Sequence, residues 1–172
     1  MYQRGELVVY GIHGVCRVLE LEIKTVNHKK TEYYVLAPVL NEQARFYIPT
    51  QNAEAVSKMH PILTRDGIME LLTTLDLQKD VWITDENKRK VSYKDIISRG
   101  DRAELICLIR ALHLHRANQF AQGRKFHSSD ESFLRDAEKL VTSEISVVMG
   151  IPMEEVGLFI ETTVDNLKTC CE

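Results

Sequence analysis

The side chains that could support catalysis or metal binding are scattered along this sequence. His113 and His115 are close in sequence, but residues two apart on a helix point about 200° away from each other, so they cannot share one metal ion. His13 stands before Gly14 and is interpreted as a turn histidine. No nucleophile-elbow, zinc-binding-helix or phosphate-loop motif is present. We therefore expect no enzymatic activity, no catalytic residues, no metal and no cofactor.

The four cysteines also favour a structural interpretation. Cys16 and Cys107 each stand alone in an apolar run, where a reduced cysteine acts as a small hydrophobic side chain. Cys170 and Cys171 are adjacent, and no CxxC pair is present to hold a metal. The sequence has no apolar run long enough to span a bilayer and no signal-peptide pattern at its start. We expect a cytoplasmic protein with no membrane contact.

Basic residues are concentrated in the middle of the chain. Residues 86–127 carry 10 Lys+Arg and 4 Asp+Glu, a net charge of +6, whereas residues 1–85 carry −2 and residues 128–172 carry −7. Clustered cations are the footprint expected for contacts with nucleic-acid phosphates, although a solvated surface often has the same composition. The candidate DNA-binding residues in this block are Lys88, Arg89, Lys90, Lys94, Arg99, Arg124 and Lys125.

Trp82, the only tryptophan, stands a few residues before the basic run Lys88-Arg89-Lys90. Apolar side chains can wedge into a minor groove and partly unstack a base step. An indole in this position could equally fill a gap in the core. The sequence leaves both interpretations open. The carboxylates that follow the basic block, at positions 130, 131, 136, 138 and 144, are interpreted as the solvated face of one helix.

The periodicity divides the chain into two halves and predicts an α+β protein. Residues 1–52 read as four or five short strands, which predict a small SH3-like or Tudor-like β-barrel with sharp corners at Gly5, Gly11 and Gly14. Polar hairpin tips are expected at residues 27–30 and 41–43. Residues 53–61 are expected to be a linker, and residues 62–166 have the period of an all-α helical bundle.

Capping signals predict where these helices begin and end. Thr64 and Asp101 are expected to cap two of them, and capping pairs at Ser92/Asp95 and Ser128/Glu131 are expected to open two more. Residues 76–91 are expected to be irregular. Gly100, Gly123 and Gly150 are placed to end helices, and Pro152 is placed to begin the last one.

Four segments together resemble the CarD family of bacterial transcription regulators. YQRGELVVYGIHGVCRVLEL resembles the family's opening, KTEYYVL and FYIPTQNAEAV continue the similarity, and SRGDRAELICLIRALHLHR and SSDESFLRDAEKLVTSEI resemble two of its helices. The segments occur in the family's order over roughly residues 2–150. The N-terminal module is also similar to one in the transcription-repair coupling factor, whose motor domains would not fit in 172 residues.

The resemblance implies that the barrel binds the β subunit of RNA polymerase by pairing an edge strand with that subunit. The matching strand is Ile23-Lys24-Thr25-Val26, and Tyr47 stands where some members offer an arginine to the polymerase.

For the helical half, the resemblance implies contact with promoter DNA at the upstream edge of the open bubble, with Trp82 as a minor-groove wedge. Trp82 precedes Gly100 by more residues than is usual in the family. We expect a non-enzymatic regulator that stabilises the open promoter complex and acts as a monomer. The alternative is an adaptor that binds polymerase or another protein without touching DNA.

Overall fold

The computed structural model describes residues 1–26, 29–41, 43–75 and 81–169, and it divides the chain into two units, Met1–Ile62 and Leu63–Glu172. The side chains of Val26 and of residues 165–169 are also outside the description. The predicted hairpin tips lie partly outside the described residues, and the Cys170-Cys171 pair lies entirely outside them. Each unit is described separately below.

The N-terminal unit is an antiparallel five-stranded sheet with one short helix. Its elements are β1 Leu7–Tyr10, β2 Val15–Val26, β3 Lys29–Pro38, β4 Phe46–Pro49, α1 Ala53–Ser57 and β5 Met59–Pro61. The strand order is β4-β3-β2-β1-β5. The expected linker at 53–61 is therefore part of this unit, because β5 pairs with β1. Among the described strands no pairing joins β4 to β5, so closure into a barrel stays a prediction.

The apolar alternation of β2 and β3 builds the core of the sheet. Val18 in β2 lies opposite Leu36 in β3, and both are buried. The other members of this core are Val8, Cys16, Tyr34, Ile48 and Met59. The chain turns sharply between β1 and β2 because Gly11 and Gly14 adopt positive φ angles of 45° and 78°. A β-bulge between Val18 and Glu20 then shifts the register of β2 against β3.

The C-terminal unit consists of helices α2 Arg65–Thr74, α3 Glu86–Arg99, α4 Arg102–Ala121, α5 Ser128–Met149 and α6 Val156–Thr169, with a 3-10 turn at Met153–Glu155. Helix α5 packs against α3 and α4. The shared core is apolar, and its fully buried members include Ile68, Tyr93, Leu108, Leu112, Leu134 and Val156. No helix of the described residues is both long and apolar enough to cross a membrane.

The predicted caps of two helices are confirmed, the predicted start at Ser92 is wrong, and α5 begins at Ser128 without the predicted capping box. Thr64 accepts a hydrogen bond from the Gly67 N–H, and Asp101 accepts one from the Glu104 N–H. Helix α3, in contrast, begins well before Ser92 because Asp85 caps it by accepting the Lys88 N–H at 2.9 Å. His127, which makes no side-chain capping bond, precedes α5, so the predicted Ser128/Glu131 box lies inside the helix.

The predicted helix ends at Gly100 and Gly150 are confirmed. Both residues adopt the left-handed conformation, with φ of 66° and 71°, and each follows the last residue of its helix, α3 and α5.

Candidate functional site

One side of β2 is available for pairing along its outer half. On that side the Val18 N–H donates to the Glu6 carbonyl and the Gly5 N–H donates to the Val18 carbonyl. Beyond Val18, no described strand pairs with this side, although β2 continues to Val26 and stays paired with β3 on its other side. The outer half of β2 is therefore an open sheet edge, as far as the described residues extend.

The register of the sheet identifies which backbone groups point out at this edge. The Thr50 N–H donates to the Glu32 carbonyl at 3.0 Å, so the backbone groups of Glu32 face β4. Backbone groups of successive strand residues face opposite sides, and Ile23 lies opposite Glu32. The N–H and C=O of Ile23 therefore point away from β3, and those of Thr25 do so as well.

The predicted polymerase-binding side chains are divided between the two faces of the sheet. Ile23 is 65% exposed and shares its face with Leu21, which is 42% exposed. Lys24 points to the other face, where its ammonium lies 3.5 Å from the centroid of the Tyr47 ring and 3.6 Å from the Glu22 carboxylate. The structure thus brings Lys24 and Tyr47 together through a cation–π contact, and it leaves an apolar pair at the open edge.

In the helical unit, Trp82 lies in a stack of side chains from three different segments. Its ring is parallel to that of His115, with 3.5 Å between centroids, and the Arg89 guanidinium lies 4.6 Å from the ring centroid. The Phe126 ring is 6.2 Å from His115. Trp82 is half-buried. It is therefore held by neighbours and still partly open to solvent, in contrast to a fully buried core residue such as Tyr93.

Arg89 points inward, unlike its neighbours in the basic run. Its Nε and Nη2 each donate to Asp130 at 3.0 Å, and its Nη1 donates to the carbonyls of Ile83 at 2.8 Å and Thr84 at 3.2 Å. The residue is only 4% exposed. Because its donors already have buried acceptors, Arg89 is not placed to contact phosphates.

The expectation that the carboxylates of α5 form a solvated face is wrong for two of them. Asp130 is 1% exposed and pairs with Arg89, and Glu144 is 3% exposed and accepts two hydrogen bonds from Arg102 at 3.0 Å. Glu144 also accepts the Leu63 N–H. Sequence reasoning missed both pairs because Arg89 and Asp130 are 41 residues apart and no local pattern joins them.

Two other predicted DNA-binding cations are engaged in surface ion pairs. Lys90 pairs with Glu86 at 2.6 Å, and Arg99 pairs with Asp95 at 2.8 Å and Glu104 at 2.7 Å. The Arg99–Asp95 and Arg99–Glu104 contacts raise the pKa of Arg99, which stays protonated in any case. Exposed pairs of this kind contribute little stability and exchange readily for other partners.

Four predicted cations form no ion pair with any described residue. Lys88 and Lys94 are exposed on α3, and Arg124 and Lys125 are exposed in the loop between α4 and α5. That loop reaches the tryptophan stack, because Phe126 follows Lys125 and lies against His115. Lys88 immediately precedes Arg89, which contacts Trp82. The structure therefore places two of the four, Lys88 and Lys125, next in sequence to residues of the tryptophan stack.

The two histidines of α4 have separate partners, as their spacing predicts. The His113 Nε2 lies 2.7 Å from Glu138 and its Nδ1 lies 3.0 Å from Arg116, whereas His115 stacks on Trp82. Burial of the ring lowers the pKa of His115 below its ordinary value of 6.5. Asp130 acts in the opposite direction, and Arg89 and His127 add to the lowering. The surroundings of His115 thus favour its neutral form.

The described residues contain no arrangement that points to catalysis or metal binding. No group of three or more His, Cys, Asp or Glu side chains among them could hold a metal ion. The His13 ring lies 4.2 Å from that of Phe46 and is stacked on that of Tyr10 at 5.7 Å, which is the turn position expected of it. Cys16 and Cys107 are reduced cysteines in buried positions.

Comparison with known families gives a match within the first 60 residues. Residues 2–60 match the family described as the CarD-like/TRCF RID domain. This stretch coincides with the N-terminal unit, and the match does not extend into the helical unit. No curated protein matches the chain.

Proposed function

Because residues 2–60 belong to the CarD-like/TRCF RID family of RNA polymerase-interacting domains, we propose that this chain is a non-enzymatic transcription regulator that binds polymerase. In this proposal the N-terminal unit is an SH3-like or Tudor-like module that docks on the β subunit. The helical unit binds promoter DNA at the upstream edge of the bubble and stabilises the open complex. The protein acts in the cytoplasm as a monomer and needs no cofactor.

The open edge of β2 supports docking by addition of a strand. The outward N–H and C=O groups of Ile23 and Thr25 can bond to a partner strand, and the exposed Leu21 and Ile23 side chains can cover its apolar residues. An open edge is a hazard unless it is guarded or used. Lys24, held against Tyr47, lies on the opposite face and can contribute a charge at the rim.

Replacement of Thr25 by proline tests the docking mode. The change removes an N–H that points to the open side, whereas the N–H groups of Glu22 and Lys24 still bond to β3. We expect binding to the isolated polymerase β subunit to weaken by about tenfold or more, equivalent to about 1.4 kcal/mol. Thr25→Ala, which keeps the N–H, serves as the matched control. Undiminished binding of a folded Thr25→Pro variant would contradict docking through this edge.

Two of the predicted DNA-binding cations, Lys88 and Lys125, are next in sequence to residues of the Trp82 stack, and this position carries the proposal of DNA binding. Lys88, Lys94, Arg124 and Lys125 can neutralise phosphates, while the half-buried indole can press into a minor groove where a base step is already distorted. Unstacking a step costs a few kcal/mol, which phosphate contacts offset. A net gain of about 1.4 kcal/mol shifts the ratio of open to closed complexes tenfold. No chemical step is required.

Fluorescence anisotropy with fork-junction DNA tests this part directly. We expect a Lys88→Glu/Lys94→Glu variant to bind the fork much more weakly than the unmodified protein, because each change replaces attraction to a phosphate by repulsion. The charge-matched control is Lys29→Glu/Lys30→Glu, which alters two exposed lysines of β3 in the other unit. Equal loss in both variants would mean that only net charge matters and would reject a specific surface.

A second candidate function is an adaptor that binds polymerase and never touches DNA. The observation in its favour is that Arg89, Lys90, Arg99 and Arg102 are all paired with carboxylates, so the helical unit presents less free positive charge than its sequence indicates. The same titration distinguishes the two functions. An adaptor would show no saturable binding to fork DNA at moderate salt while still binding the β subunit.

A further inference from the structure

The backbone around Trp82 is fastened to α3 on both sides of the tryptophan. The Tyr93 hydroxyl donates to the Val81 carbonyl at 3.2 Å, and Arg89 donates to the carbonyls of Ile83 and Thr84. The segment 81–84 has no regular secondary structure of its own. Its conformation is therefore set by two side chains of a neighbouring helix.

The indole is held by Arg89, which also holds its backbone, and by one more residue. Arg89, whose guanidinium is fixed by two bonds to Asp130, contacts the ring at 4.6 Å, and His115 stacks on it at 3.5 Å. Arg89 thus contacts the backbone after Trp82, the indole itself and Asp130 near the start of α5. A residue that only filled space in the core would need none of these polar bonds.

We propose that His115 and the Arg89–Asp130 pair are positioning residues that hold the indole of Trp82 ready for its contact with DNA. The inference rests on the proposed function, since it assigns a role to the neighbours of the proposed wedge. A side chain that is ordered before binding loses less conformational freedom on binding, and the complex is tighter for that reason. The sequence predicted that Arg89 contacts phosphate. In this proposal Arg89 acts instead by positioning Trp82.

The alternative explanation, that Arg89 and Asp130 affect DNA only by their charge, makes an opposite prediction. Asp130→Asn removes a negative charge, so a purely electrostatic role predicts unchanged or stronger binding to DNA. Positioning predicts a shorter-lived open complex in spite of the more positive protein, because the guanidinium loses one of its two charged bonds. The sign of the effect therefore separates the two explanations.

The test uses the full-length chain with RNA polymerase and a promoter, and it measures the dissociation rate of the open complex. We expect His115→Ala to shorten its lifetime by about twofold to tenfold, the range that the coupling of an aromatic pair allows. His115→Phe, which keeps a stacking ring, should restore most of the lifetime. In a Trp82→Ala background, His115→Ala should have no further effect.

Two results are decisive. A normal lifetime for His115→Ala beside a shortened one for Trp82→Ala overturns the positioning role and leaves the proposed function intact. A normal lifetime for Trp82→Ala overturns the wedge and, with it, this inference. Asp130→Asn can unfold the helical unit, so the thermal unfolding of this variant is measured in parallel. If the variant is unfolded, the His115 variants decide the question, because His115 is only half-buried.

Discussion

At the scale of single residues, three consecutive cations of the basic run have three different environments. Lys88 is exposed, Arg89 is buried against Asp130, and Lys90 is half-buried and paired with Glu86. A helix turns by about 100° per residue, so adjacent side chains necessarily face different surroundings. A run of charges in the sequence is therefore not equivalent to a charged surface, and each residue of it has to be assigned separately.

The buried pair gives the first prediction, which concerns stability. Asp130→Ala leaves the Arg89 guanidinium buried without its partner, and we expect the free energy of unfolding to fall by about 3–5 kcal/mol. Glu86→Ala is the control, since it breaks a solvent-exposed pair with Lys90 and should cost far less than Asp130→Ala. Urea denaturation measures both. Similar small losses in the two variants would contradict a tightly paired, buried guanidinium.

His115 gives a second prediction, which concerns pH. Burial lowers its pKa below 6.5 in the folded state, so the unfolded chain takes up the proton more readily. Its contribution to stability is present above pH 6.5 and is lost as the pH falls through the lower, folded-state pKa. Because Trp82 is the only tryptophan, its emission reports the stack. We expect an emission change with a midpoint below pH 6.5.

His115→Phe is the control for this titration, because phenylalanine keeps the stacked ring but cannot bind a proton. The change in emission should disappear in that variant. Persistence of the same transition would assign it to a group other than His115.

At the scale of secondary structure, the sequence indicated most elements but not all of their starts. Thr64 and Asp101 were identifiable because each is followed by an uninterrupted apolar stripe. Ser92 and Ser128 carry the same S-x-x-acid pattern, yet both lie inside helices. The pattern cannot tell whether an earlier residue already begins the helix. For α3 that residue is Asp85, in a stretch whose composition is polar and whose apolar period is weak.

The cap of α3 at Asp85 gives a prediction about stability. Asp85→Ala should lower the free energy of unfolding by about 1 kcal/mol, because it removes the side-chain acceptor for the Lys88 N–H. Ser92→Ala, in the middle of the same helix, should change stability by less than about 0.5 kcal/mol. Thermal or urea unfolding of the two variants makes the comparison. A larger effect at Ser92 than at Asp85 would restore the later helix start.

In the sheet, too, the features with a local sequence pattern were predicted, and those that depend on residues distant in sequence were not. Alternating apolar residues predicted the strands of the first 50 residues, but β5 was assigned to a linker because a three-residue strand has no periodicity to detect. The open edge of β2 depends on where β1 stops pairing, which is a property of the folded sheet. The residues Ile23–Thr25 could be proposed for docking only through the family resemblance, whereas the register now gives a physical reason.

At the scale of the whole molecule, fewer basic side chains are available to a ligand than the sequence indicates. The net charge of +6 in residues 86–127 is real, but Arg89 and Arg102 also pair with carboxylates of α5, outside that block. These pairs connect residues about forty positions apart, and only the folded chain brings them together. Of the predicted DNA-binding cations, those available to a ligand are therefore Lys88, Lys94, Arg124 and Lys125, supplemented by the cations of exchangeable surface pairs.

This distribution predicts how DNA binding depends on salt. Each phosphate contact contributes about 0.9 to the slope of log K against log salt concentration. Lys88→Gln should therefore lower the slope by about 0.9, and the quadruple Gln variant of Lys88, Lys94, Arg124 and Lys125 should lower it by about 3–4. Arg89→Gln should leave the slope unchanged even if it weakens binding, because its guanidinium is already bound to Asp130.

The comparison between Lys88 and Arg89 is the sharpest form of this test, because the two are adjacent in sequence and differ chiefly in burial. Anisotropy titrations with fork-junction DNA at several salt concentrations give the slopes, and melting temperatures identify any variant that has lost its fold. If Arg89→Gln lowers the slope as much as Lys88→Gln does, Arg89 leaves Asp130 on binding and contacts phosphate after all. If neither Lys88→Gln nor Arg89→Gln changes the salt slope, this end of α3 does not face DNA.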